Sequence, residues 1–338
     1  MRLIDGNPDI IVPPGEGKLQ ILRRFASKPM INNLKSMDVL DIFSEIQLDL
    51  NNVDKKRFLK FLKVELRKNS SVNNLHQLVW VLINTILNFR EEDDKITKKK
   101  SWLEKNHNIE FYFGRAKQLF PNSKLIFVAR DPRDVWISWK KYCLLHGLKN
   151  DLDQARCNLQ FHAFDEIIEM SYGVKRFKQI SDLIKYYNIK RTSFLGLENV
   201  LKKNGVISFV NENIISMSNF DEIDTNVGRF SWNYFCMLDR AVWLEKTFKN
   251  DVMILKYEDL VERPEAKIKE VLHFCDLSSK NTLIMPSENN KEWVSNSSFF
   301  KSKTNKISKS SVGKWKFMIA DKEASIINKI AGNIYTSI

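Results

Sequence analysis

Arg130 and Ser138 carry the clearest chemical signal in this sequence. They lie in "LIFVARDPRDVWISW", where an apolar run ends in Arg130-Asp131-Pro132 and a serine stands eight residues after the arginine. Guanidinium and hydroxyl are both hydrogen-bond donors, and together they suit a phosphate. In open α/β sheets, ligands bind beyond the carboxyl ends of the strands, which is where Arg130 falls if the run before it is a strand. A structural reading competes with this one. Arg130 would pair with Asp134, and Ser138 would simply be packed.

The elements around these residues support a strand-end site. Residues 125–129 are continuously apolar, as expected of a strand covered on both faces in a parallel sheet. Residues 109–120 place Phe113, Ala116, Leu119 and Phe120 at helical spacing, and Pro121-Asn122-Ser123 marks a turn. Pro132 suits the first turn of a new helix, and Asp131 or Asp134 suits its positive end. The same logic recurs later. Residues 231–248 predict a helix with Phe235, Leu238 and Val242 on one face. Val252 to Leu255 predict a second buried strand, ending in Lys256-Tyr257-Glu258-Asp259. Pro264 then opens a helix with Ile268, Val271, Leu272 and Cys275 inward. Further helices are expected over 57–68, 72–90 and 321–330, and a long polar loop over 278–313. The fold class expected is α/β, with a short parallel sheet flanked by helices.

The chain has 338 residues, 43% of them hydrophobic, enough for a substantial core in one large domain or two. Its 54 basic and 41 acidic residues leave a net charge of +13, which favours anionic ligands. The basic residues are scattered. Zinc spacing, an arginine-rich arm and a recognisable nucleic-acid module are all lacking, so no nucleic-acid partner is expected. The longest apolar run, residues 78–83, is far shorter than the roughly 20 residues a membrane span needs. The first residues do not resemble a signal peptide. Cys143, Cys157, Cys236 and Cys275 form no CxxC pair. Cys236 and Cys275 read as core thiols of a reducing compartment, and the expected location is cytoplasmic.

Four ordered motifs together resemble one family. "FPNSKLIFVARDPRDVWISW" resembles the 3′-phosphate-binding segment of the sulfotransferases that use 3′-phosphoadenosine 5′-phosphosulfate (PAPS). "WLEKN" is similar to the family's W-x-EK-[TN]-P approach, with His107 in place of the proline. "ILKYEDLVERPEAKIKEVLHFCDL" resembles its Tyr-Glu-Asp-Leu strand and adjoining helix, and "VGKWK" its late nucleotide-contacting loop. Within the family, the sequence resembles the branch of glycan and tyrosyl-protein sulfotransferases. The resemblance implies a single domain over 1–338, with a three-layer, P-loop-like parallel sheet and a variable substrate-side region over 143–230. It implies PAPS as co-substrate, no metal, and a hydroxyl or amine acceptor on a small molecule, glycan or peptide.

By the same resemblance, Arg130 and Ser138 hold the 3′-phosphate, and Tyr257 and Lys314 contact the nucleotide. Glu16 holds the position of the base in the glycan and tyrosyl-protein branches. His107 and His146 are rival bases, and Lys105 is expected near the sulfuryl group or the acceptor. One departure from the family pattern matters more than the rest. The opening strand and the P-[KR]-S-G-T-[ST] loop, which cradle the 5′-phosphosulfate, are not found, and the chain starts on a stretch resembling the family segment just after that loop. The expectation is therefore a chain lacking that strand and loop and weakly active as it stands. The alternative is a nucleotide-binding relative without catalysis. Acceptor identity and oligomeric state stay open.

Overall fold

The computed structural model describes residues 7, 9–11, 59–65, 67, 81, 85, 101–105, 109–110, 113, 116–117, 120–145, 226–278, 287–288, 291–292 and 307–338. Most of the helix expected over 72–90 and most of the 143–230 region lie outside the described residues. At the centre β3 (Leu125–Ala129) pairs in parallel with β4 (Val252–Lys256). A second parallel pair joins β1 (Ile10–Ile11) to β2 (Ser101–Trp102). A short antiparallel pair, β5 (Ser287–Glu288) with β6 (Lys291–Glu292), lies within the stretch expected to be loop.

Each main strand feeds a helix. β3 leads to α1 (Pro132–Leu145). The long helix α2 (Asn226–Phe248) precedes β4 and begins earlier than the apolar pattern predicts. β4 leads to α3 (Tyr257–Glu262) and then α4 (Pro264–Phe274), which opens at its proline as expected. Pro264 needs no N–H at that position, and its fixed φ suits a helix start. A 3-10 turn, Lys309–Ser311, precedes the single α-helical turn α5 (Trp315–Met318). The carboxyl-terminal helix α6 (Asp321–Ile327) continues through a π-helical turn, Asn328–Gly332, into α7 (Asn333–Ser337).

Burial explains the arrangement. Leu125, Phe127 and Ala129 point to one face of β3 and are buried. Phe127 and Ala129 join Trp136 of α1, Tyr234, Phe235, Leu238 and Ala241 of α2, and Ile326, Ile327 and Ile330 near the carboxyl terminus. On α2 one buried stripe runs through 227, 231, 234, 238 and 241, in alternating steps of four and three, with Phe235 and Leu244 buried beside it. Val242, expected on that face, is only half-buried, because the stripe centres on Leu238 and passes to Ala241 and Leu244. The opposite face of the strand pair meets α4. Leu255 sits there with Ile268, Val271, Leu272 and Ile10, and Ile126 and Met253 pack alongside. Helices therefore contact the β3–β4 pair from both sides. Cover is uneven, however. Val128 is 50% exposed, so the second face of β3 is not sealed along its length as the apolar run suggests.

Cys275 is half-buried, and burial pushes its thiol up to about 11, which keeps it protonated and unreactive. The Cys236 side chain lies outside the described residues, as do those of Cys143 and Cys157. Among the described residues, no helix is long and apolar enough to cross a membrane, and no cluster of His, Cys, Asp and Glu could hold a metal.

A buried acid makes stability depend on pH. Glu110 is 2% exposed, and its Oε1 has no hydrogen-bond partner among the described residues. Arg240 of α2 donates Nε to the Glu110 carbonyl at 3.2 Å and stacks over Trp243 at 4.0 Å. Burial outweighs this attraction and raises the Glu110 carboxyl from 4.5 to about 7. The folded state therefore binds more protons than the unfolded state between those values, so stability falls as pH rises from 4.5 to 7. Glu110→Gln is expected to flatten this slope and to raise the urea midpoint in mildly alkaline buffer. A steeper slope in the variant, or a lower midpoint there, would count against the assignment.

Candidate active site

Arg130 comes directly after β3, and Tyr257 directly after β4. The strand register pairs Ala129 with Lys256, so the next residue of each strand emerges side by side. The Arg130 guanidinium stands 4.9 Å from the centre of the Tyr257 ring. Its Nη2 donates to the Ser311 carbonyl at 2.6 Å. The Tyr257 hydroxyl and Ser311 Oγ share a hydrogen bond of 2.8 Å. Nε of Arg130 is buried and has no hydrogen-bond partner among the described residues, leaving a strong cationic donor unspent.

The backbone at Arg130 is braced from below. The Tyr234 hydroxyl of α2 accepts the Arg130 N–H at 2.9 Å and donates to the Arg130 carbonyl at 2.5 Å. Burial holds the phenol well above its ordinary pKa, so it stays neutral and can do both. Beside it, Glu258 Oε1 accepts the Asp131 N–H at 3.0 Å, and Glu258 Oε2 accepts the Tyr335 hydroxyl at 2.6 Å. Asp131 caps α1, taking the Arg133 N–H at 2.9 Å on Oδ1, and also holds the Arg133 guanidinium. The ends of β3 and β4 are thus tied to each other and to the carboxyl-terminal helix.

The competing Arg130–Asp134 pairing does not form. Asp134 instead accepts the N–H groups of Gly313 and Trp315, at 2.7 and 2.9 Å. Arg133 lies 3.7 Å over the Trp315 ring. Ser138 sits on α1 one turn beyond Asp134 and is half-buried. Lys314 is exposed and leads into α5 in the same loop.

Of the expected site residues, Arg130 and Tyr257 come together under the segment from Ser311 to Lys314, with Ser138 on the helix that leaves Arg130. Lys105 is exposed and lies three residues beyond β2. Glu16, His107 and His146 lie outside the described residues. Sequence reasoning missed Ser311, Tyr234 and Glu258. Glu258 stands inside the quoted Tyr-Glu-Asp-Leu element, and Ser311 directly precedes "VGKWK". Tyr234 left no sequence signal beyond its place on the apolar face of a helix.

A family model, the sulfotransferase domain, matches residues 41–335. The chain belongs to the sulfotransferase family. No curated protein and no solved structure matches the chain significantly. The sulfotransferase domain so matched contains Lys105, His107, Arg130, Ser138, His146, Tyr257 and Lys314, whereas Glu16 precedes it. The match supports sulfuryl transfer as the general activity, and the α/β architecture with its parallel strands agrees with it.

Proposed function

We propose that this chain transfers a sulfuryl group from PAPS to a hydroxyl or amine acceptor, and that the 3′-phosphate of the donor binds at the ends of β3 and β4. The observation that carries this reading is the Arg130 guanidinium, set at a strand end against Tyr257 with no hydrogen-bond partner for Nε among the described residues. Those residues fit a phosphate dianion. The planar cation of Arg130 would donate to the phosphate, and the hydroxyls of Ser138 and Ser311 are proposed as further donors. Lys314 would add a second positive charge from the loop. The topology this reading implies is a three-layer, P-loop-like sheet within one domain, with residues 143–230 on the acceptor side.

Sulfuryl transfer needs an acceptor that loses its proton and a leaving bisphosphate whose growing charge is met in line with attack. Glu16, His107 and His146 are the proposed bases, and Lys105 is the proposed cation nearest the sulfuryl group. Phosphate and sulfuryl oxygens can be neutralised by these side chains alone, so the reading includes no metal. The acceptor is proposed to be a small molecule, glycan or peptide, and the location cytoplasmic.

Binding tests this directly. Adenosine 3′,5′-bisphosphate is expected to bind in calorimetry at least about tenfold more tightly than adenosine 5′-monophosphate, since one phosphate contact by a cation is worth roughly 1.5–3 kcal/mol. Equal affinity for the two nucleotides would sink the placement of the 3′-phosphate.

A further inference from the structure

Asp134 is 2% exposed, and its charge is met from a distant part of the chain. It stands in the first turn of α1, where a carboxylate suits the helix dipole. The capping role there, however, belongs to Asp131. Asp134 reaches instead to residues about 180 positions away. Oδ2 accepts the Gly313 N–H and Oδ1 the Trp315 N–H. Two N–H groups from alternate residues converge on one carboxylate because Gly313 has a φ of +71°, a conformation that favours glycine. A Cβ at Gly313 would meet Lys316 only at an ordinary 3.9 Å, so the constraint is conformational rather than steric. Arg133, the neighbouring residue on α1, covers the Trp315 ring. One turn of helix therefore grips both the backbone and the ring of the loop, with Lys314 between the two gripped amides. At the near end of the same loop, Ser311 receives Arg130 through its carbonyl and meets Tyr257 through its hydroxyl.

We propose that Asp134 is a positioning residue for the donor nucleotide, clamping residues 311–315 over Arg130 so that Arg130 and Lys314 address the same phosphate. The proposal rests on the donor reading above. The clamp is set before any ligand arrives. If the loop leaves, a buried carboxylate loses both of these donors, which is costly. Donor binding then spends little on ordering the loop.

Asp134→Asn keeps the shape but turns one acceptor into an NH₂ facing an N–H. It is expected to weaken adenosine 3′,5′-bisphosphate binding about tenfold or more, and to speed tryptic cleavage after Lys314 in the absence of nucleotide. Cleavage at lysines of α4 should not change. Asp134→Glu, which restores both acceptor oxygens, should recover part of the affinity. Unchanged affinity in the Asn variant overturns the proposal. Faster cleavage with unchanged affinity also overturns it, because the clamp would then serve no donor. If the wild type fails to bind the bisphosphate, the donor reading falls, and with it the purpose assigned here. The nucleotide-free cleavage comparison then decides separately whether Asp134 holds the loop. If the Asn variant does not fold, Gly313→Ala strains the same turn with every charge in place, and the same pair of changes is expected of it. Neither change in that variant would overturn the clamp.

Discussion

Arg130→Ala is expected to weaken binding of adenosine 3′,5′-bisphosphate by roughly 10- to 100-fold. A hydrogen bond to a charged group contributes about 1.5–3 kcal/mol, and about 1.4 kcal/mol is a factor of ten. Two further losses push toward the upper end. The guanidinium no longer covers Tyr257, and the Ser311 carbonyl loses its donor, so the near end of the loop is released. Arg130→Lys separates charge from geometry. An ammonium keeps the charge but lacks the planar fork, so an intermediate affinity is expected. The backbone brace from Tyr234 acts on the Arg130 N–H and carbonyl, which both variants retain, so the unfolding midpoint should move little. Calorimetry returning equal affinity for Arg130→Ala and the wild type would show that the phosphate lies elsewhere.

Leu238→Ala is expected to cause a large loss of stability. Leu238 is fully buried in the cluster that joins Phe127 and Ala129 of β3 to α2 and the carboxyl-terminal helices. Truncating a buried leucine costs about 2–5 kcal/mol, from lost transfer energy and the cavity left behind. The cost should lie in the upper part of that range, because the neighbours come from several elements that cannot all move inward together. The urea midpoint should fall at unchanged m. Below the transition, bisphosphate affinity should stay within about threefold of the wild type, a change of less than about 1 kcal/mol, since no atom of the strand-end site is removed. A stability loss under about 1 kcal/mol would mean that the cluster collapses freely and is not the core described here.

Much of the local structure was legible because it depends on near neighbours. The apolar run of β3, the proline at the start of α4 and the helical spacing of Ile268, Val271 and Leu272 each report short-range geometry that the sequence carries directly. Arg130 and Ser138 stood out by their own chemistry, and the family resemblance joined Tyr257 and Lys314 to them from motifs scattered along the chain. A parallel sheet holding both β3 and β4 is expected from two buried strands, each followed by a helix that opens at a proline, and the two strands pair directly.

What only the tertiary structure decided is how these pieces meet. Periodicity is indifferent to register, yet pairing Ala129 with Lys256 is what sets Arg130 beside Tyr257. The partner of Asp134 was equally hidden. Arg130, four residues away, was the obvious choice by sequence distance, and the loop near Gly313 took the carboxylate instead because two backbone amides converge there. Tyr234 became a brace for Arg130 only once α2 lay under β3. The exposure of Val128, in a run that reads as wholly buried, depends on how far the covering elements extend across the sheet. Local propensity is a property of a few adjacent residues. Site geometry is a property of contacts between residues far apart in the chain, whose free energies appear only when the chain is closed on itself.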